Sequence, residues 1–183
     1  AGFLAERGAM RICLPPELAL PTVATIAAAL PQLAIEVFAF GKIPLAISAR
    51  CYHARAHNLT KDNCRFVCEQ DPDGMPVTTI DGAGFLSVNG VQTLSHGCTS
   101  LLLDIPARRK AGVASLRLSP QDCDMVAVAR LFREVIDGEI GPAEGERRLS
   151  EIYPDVPLAN GFLHGAAGHV RMGASGAGLG EMC

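Results

Sequence analysis

Tryptophan is absent from this chain, and only seven phenylalanines and two tyrosines stand among its 183 residues. A core for one domain of this length must therefore come from alanine, leucine, isoleucine and valine. An excess of positive charge is also missing. Sixteen Lys and Arg face nineteen Asp and Glu, for a net charge of −3, so there is no global basic footprint for nucleic acid. No apolar run approaches the ~20 residues of a membrane-spanning helix. The Ala-rich stretch 26–30 is a short helix closed by Pro31. There is no HExxH zinc-protease helix, no Walker loop and no GxSxG elbow. The run Gly176-Ala177-Gly178-Leu179-Gly180 lacks the preceding strand and following helix of a dinucleotide loop. No secretory pattern is visible, and the opening at Ala1 reads as a segment of a longer protein.

Cysteine, by contrast, is plentiful: seven residues, an odd count for a disulfide frame. Three of them, Cys51, Cys64 and Cys68, fall within eighteen residues directly after an apolar run. Clustering of this kind favours thiolate ligation in a reducing, cytoplasmic compartment. In that setting the Asn58-Leu59-Thr60 sequon carries no meaning. Thiolates suit iron–sulfur clusters, zinc or copper(I). Zinc sites usually show paired Cys-x2–4-Cys units or a His partner, and here there is one close pair and an outlier. The competing reading is three ordinary buried cysteines. Cys64 and Cys68 would share a face if they lay on a helix, and Cys51 would reach them through the polar loop at His57, Asn58 and Thr60.

A cubane cluster takes four thiolates. Cys13, Cys98, Cys123 or a cysteine outside the chain would supply the fourth, unless one iron stays open. Each of these is more often a small core residue, and Cys123 and Cys183 read as bystanders. Arg50, His53 and Arg55 flank Cys51. They form either a cationic pocket for a carboxylate ligand or an ordinary solvated loop that also hydrogen-bonds the sulfurs.

The pattern predicts a helix end over 3–10 stopped by Gly8, a strand at 11–14, a helix over 17–30 and the strongest strand at 33–40, closed by Gly41. An extended or short helical run covers 43–48. Asp71-Pro72-Asp73-Gly74 is a plain turn. Short strands follow near 76–80, 85–88 and 91–94, with Asn89-Gly90 as the hairpin signal. A helix is expected over 99–111 capped by Gly112, a strand over 113–118, and a helix over roughly 120–137. The last carries Met125, Val128, Ala129, Phe132 and Ile136 on one face. A final amphipathic helix spans 142–152. The turn-rich Asn160-Gly161-Phe162-Leu163-His164-Gly165 belongs to an irregular tail, 154–183, disordered beyond about 171. Strand–helix repeats with an inserted β excursion describe an α/β chain. It is the C-terminal portion of a TIM-barrel-like fold with an inserted β-hairpin or meander, an incomplete barrel over 1–153. Cys51 would then lie past the C-terminal end of a strand, where barrel active sites are built.

The runs Pro44-Leu45-Ala46-Ile47-Ser48-Ala49-Arg50-Cys51-Tyr52-His53-Ala54-Arg55, Lys61-Asp62-Asn63-Cys64 with Cys68, Phe85-Leu86-Ser87-Val88-Asn89-Gly90, and Leu116-Arg117-Leu118-Ser119-Pro120-Gln121 resemble the collagenase-like peptidase superfamily. They resemble most closely its UbiV-type branch of oxygen-independent ubiquinone biosynthesis, over about residues 1–165. The resemblance implies a barrel-like fold with a [4Fe–4S] cluster and a heterodimer with a UbiU-like partner. It also implies hydroxylation of a quinone-precursor ring without dioxygen. Cys51, Cys64 and Cys68 match three family ligands, and the fourth lies upstream in the family's front half. Alternatives are an RNA-hydroxylating or peptidase-like relative, or a non-catalytic module with a structural metal.

Overall fold

The computed structural model describes residues 1–173. The Gly176–Gly180 run, Cys183 and, from residue 174 on, the stretch expected to be disordered beyond about 171 lie outside the described residues; at the start of that stretch, the Met172 N–H donates to Asn160 Oδ1 at 2.7 Å. One strand organises the sheet: β2, Ala34–Ile47. Its first half lies between two parallel neighbours, β1 (Arg11–Cys13) with Arg11 opposite Ala34, and β6 (Ser115–Leu118) with Glu36 opposite Ser115. Its second half pairs antiparallel with β5 (Gln92–Ser100). Gly41, expected to end the strand, instead lets it bend and continue. Its φ is +120°, and a Cβ there would stand 2.7 Å from the Ser119 Cβ, so a side chain is excluded on two counts. The 43–48 run is thus the far half of the same strand.

From β5 an antiparallel meander runs through β4 (Gly84–Asn89) to β3 (Met75–Thr78), with Gly90 at φ +61° in the hairpin turn. A two-residue strand, β7 (Leu158–Ala159), adds to β5 in parallel. The seven strands form an open sheet in the order β1-β2-β5-β4-β3, with β6 beside β2 and β7 beside β5. This is a mixed α/β sheet of partial-barrel type carrying an inserted meander.

Six helices serve the described sheet: α1 (Gly2–Ala5), α2 (Leu20–Ala29), α3 (Tyr52–Ala56), α4 (Ile105–Lys110), α5 (Met125–Asp137) and α6 (Pro142–Ile152). The α2 crossover has Pro21 in its first turn and buries Val23 against Leu14, Leu33, Ile35 and Val37. Helix α5 begins at Met125 rather than near 120, because the Asp124 carboxylate accepts from the amides of Val126 and Ala127 at 3.0 and 2.9 Å. Gly138, left-handed at φ +79°, ends it. Its buried stripe is Val128, Leu131, Phe132 and Val135, so the expected face is displaced and Met125 and Ile136 sit at its margins. Phe40 of β2 meets Phe132 and Tyr153 edge-on, each at 6.2 Å.

The helix expected over 99–111 is shorter. Thr99 and Ser100 extend β5, the apolar Leu101-Leu102-Leu103 run enters the core through a 3-10 turn at Leu102–Asp104, and α4 starts only at Ile105. Burial of Leu101 and Leu102 explains the misreading: an apolar run buried on all sides has no period to read. The Asn160–Gly165 segment is no loose terminus. Leu163 enters the main core, and the Asn160 amide donates to Asp104 Oδ2 at 3.0 Å. No described helix is long and apolar enough to cross a membrane.

Glu36, the only charge in the best strand, sits at 9% exposure between β1 and β6. Burial works against its ionised form, but donation from Arg117 (2.8 Å), Cys13 and Ser115 more than offsets this and holds the carboxyl below the usual carboxylate range. A carboxyl lowered in the folded state stabilises above its unfolded value, and that stability is lost as pH falls through the folded one. Glu36→Gln is therefore expected to cost about 1.5–3 kcal/mol at pH 7. In urea unfolding, the gap between variant and parent should begin to narrow as pH falls below the ordinary carboxylate value of about 4.3 and close only when the folded-state carboxyl, held lower, is protonated too.

Candidate functional site: a cysteine loop at the end of the central strand

Beyond Ile47, β2 releases the chain into the loop that carries the three clustered cysteines. Cys51 caps α3, its Sγ accepting from the Ala54 amide at 3.4 Å. Only five residues long, α3 is held by its inner face, where His53 and Ala54 are fully buried. The His53 ring is committed at both nitrogens. Nδ1 accepts the Gly90 N–H at 3.4 Å, and Nε2 lies 2.8 Å from Asp71 Oδ2. An acceptor at Nδ1 places the ring proton on Nε2, which donates to the carboxylate. The His57 ring stacks parallel to it, with centroids 6.2 Å apart.

Asn58 turns the chain at φ +56°, and short 3-10 turns follow at Lys61–Asn63 and Val67–Gln70. Between them Arg65 and Phe66 are both left-handed, at φ +52° and +53°. Cys64 and Cys68 therefore flank a reversal instead of sharing a helix face. Cys64 itself is right-handed (φ −76°, ψ −16°), so the step from Cys64 to Arg65 turns successive amides to one side. That is the backbone nest which receives phosphates and iron–sulfur groups elsewhere. Two consecutive non-glycine residues in this region cost on the order of 1–3 kcal/mol each and persist only where the surroundings enforce them.

The Asp71–Gly74 turn does more than reverse the chain. Asp71 clamps His53. Asp73 accepts from the Asp122 amide at 2.7 Å and from the Tyr153 hydroxyl, and its carbonyl accepts from Lys42 Nζ at 2.8 Å. Lys42 also donates to Ser87 Oγ at 2.9 Å. Burial pulls its ammonium below the ordinary value, and Asp73 partly restores it. The far end of the cysteine loop is thereby tied to the sheet, to the start of α5 and to the end of α6. Nothing in the sequence distinguished Asp71 and Asp73 from the aspartates of any surface turn.

Cys51, Cys64 and Cys68 are all free and partly buried. Among the described residues, the group of three possible ligands gathered within 4.8 Å is His53, His57 and Asp71, and it includes no cysteine. A single zinc ion needs convergent donors, whereas the thiolates of a cubane each bind a different iron and stand further apart. Three soft thiols on one loop are of the donor type that iron–sulfur clusters take. Of the other described cysteines, Cys98 lies in the main core with Cys123 packed against it, and Cys13 lies beside Glu36. Burial pushes the Cys98 thiol up to about 12, keeping it protonated, and also raises Cys13 and Cys123.

Of the flanking cations, Arg50 and Arg55 are exposed and make no ion pair with a described residue. His53 lies beneath them and, with both nitrogens engaged, orients the loop instead of facing a ligand. A cavity of about 540 Å³ opens beside the far half of β2, lined by Ile43, Leu45, Phe85, Leu86, His96 and Phe162 among others. Its volume and apolar lining with a few polar groups are those of a small-molecule site.

An open barrel-type α/β sheet with a cysteine loop at the carboxyl end of its central strand defines the class of protein. Within that class the chain matches the family model of Peptidase family U32 over residues 1–172 and belongs to that family. No solved structure matches it.

Proposed function

We propose that this chain is a UbiV-type iron–sulfur protein of oxygen-independent ubiquinone biosynthesis, supporting ring hydroxylation together with a UbiU-like partner. The observation that carries the reading is the cysteine loop: three free, partly buried thiols past the end of β2, with the amide nest at Cys64 and Arg65. Cys51, Cys64 and Cys68 would hold three irons of a [4Fe–4S] cluster, and a cysteine upstream of Ala1 would hold the fourth. When bound, the cluster supplies one-electron redox chemistry. The chain's own residues set the loop: His53 and Asp71 fix α3, while Asp73 and Lys42 fix the far turn. The cavity beside Ile43 and Leu45 suits the apolar ring of a quinone precursor. Large apolar side chains exposed around the loop, Ile47, Tyr52 and Phe66, suit burial against a partner protein. Family membership alone carries no peptidase activity.

The His53, His57 and Asp71 group supports a second reading, a non-catalytic module stapled by one metal ion. Anaerobic purification of the full-length protein separates the two. The first reading expects about four iron and as many acid-labile sulfides per chain. Absence of both ends it, and one zinc without iron favours the staple.

A further inference from the structure

Arg108 is the least satisfied polar group described in the fold. It lies on α4 at 2% exposure, and its Nε, Nη1 and Nη2 have no hydrogen-bond partner. Buried guanidinium groups are otherwise paired almost without exception, because an uncompensated buried charge costs several kcal/mol. Asp104 makes no hydrogen bond to Arg108. Asp104, one turn earlier on the chain, is engaged by His164 Nε2 at 2.9 Å and by the Asn160 amide at 3.0 Å. Burial pulls the guanidinium down to about 9, with Asp104 pulling the other way, so the group is still a cation at neutral pH. Arg108 lines a cavity of about 480 Å³ between β6, α4 and α5. Leu116, Leu118, Phe132 and Ile136 supply apolar wall, and the exposed Arg109 and Arg133 stand in its lining.

We propose that this cavity binds a small organic carboxylate with an apolar, ring-sized body, held by Arg108. A single guanidinium fork matches one carboxylate in charge and in bidentate geometry. The apolar walls give the remainder of the ligand a surface that a bare inorganic anion would leave unused. Arg109 adds a positive charge at the cavity mouth that draws anions in, while Arg133 shares its charge with Asp137 at 3.6 Å. The Arg108 nitrogens are covered in this conformation, so binding turns the fork toward the cavity. That movement exchanges an unpaired buried cation for a paired one. The proposal does not rest on the cysteine loop.

The test is calorimetric titration of the full-length protein with benzoate, its neutral isostere benzamide, and inorganic phosphate. Benzoate should bind at least about tenfold more tightly than benzamide or phosphate, because only it offers both the charge and the ring. Arg108→Met should lose that advantage and should be no less stable than the parent, since it removes an unpaired buried charge. Equal binding of benzoate and benzamide, preference for phosphate, or undiminished benzoate binding by Arg108→Met would each overturn the proposal. Absence of benzoate binding by the parent overturns it as well, leaving Arg108 for an acidic side chain of another polypeptide. Should Arg108→Met not fold, Arg108→Gln replaces it, and the comparison of benzoate with benzamide on the parent still decides.

Discussion

Cys64→Ala, introduced into the full-length protein and purified without oxygen, is expected to lose its iron and acid-labile sulfide. Cells carrying it should make quinone in air but not without it. Cys64 carries one of the three proposed ligands, and its replacement by alanine removes that thiol while keeping the backbone of the nest at Cys64 and Arg65. The side chain is only partly buried, so its truncation alone should change the stability of the cluster-free protein by about 0.5 kcal/mol or less. Loss of activity would therefore be attributable to the proposed cluster. Cys98→Ala is the matching control. That thiol is fully buried and held protonated, so the variant should keep its iron while losing some core packing. Loss of quinone under both conditions, or under neither, would remove the pathway assignment. Iron retained in Cys64→Ala would remove the ligand assignment.

How far the sequence could be read depended on whether each signal was local. The strand at 34–40, the turn residues around the meander and helix 142–152 all follow from period, glycine and proline, which act within a few residues. Gly41 shows where that ends. A glycine after an apolar strand reads as a stop, and only the close approach of Ser119, far along the chain, shows that it bends the strand instead. The 99–111 segment fails for the opposite reason: Thr99 to Leu102 is buried, and burial erases the period that separates strand from helix. The three clustered cysteines stood out as candidates because thiol spacing is itself a chemical signal. The aspartates that set the loop did not, since Asp71 and Asp73 find their partners 18 and 49 residues away. Arg108 was invisible for the same reason. Among three consecutive basic residues, Arg108, Arg109 and Lys110, only the fold reveals which one is buried.

His53→Ala should cost about 3 kcal/mol, and His57→Ala less than about 0.5. The asymmetry follows from the geometry of the clamp. His53 is fully buried, so removing its ring leaves a void under α3, and it also breaks the bonds to Asp71 and to the Gly90 amide. A void of ring size accounts for most of the loss, and the two hydrogen bonds for about 1 kcal/mol each at most, since Asp71 is exposed enough to recover water. His57 is exposed and contributes only its stacked face. His53→Gln retains a donor that reaches toward Asp71 and should recover part of the loss, whereas His53→Leu fills space without the donor and should recover less of the loop's order. Urea unfolding with and without a chelator gives the comparison a second reading. If the three side chains act by hydrogen bonding, the chelator changes none of these values and His57→Ala stays near the parent. If they hold an ion, His53→Ala and His57→Ala both forfeit the same metal-dependent stability, and the chelator lowers the parent to meet them. Equal losses would thus overturn the clamp and restore the staple as the role of this group.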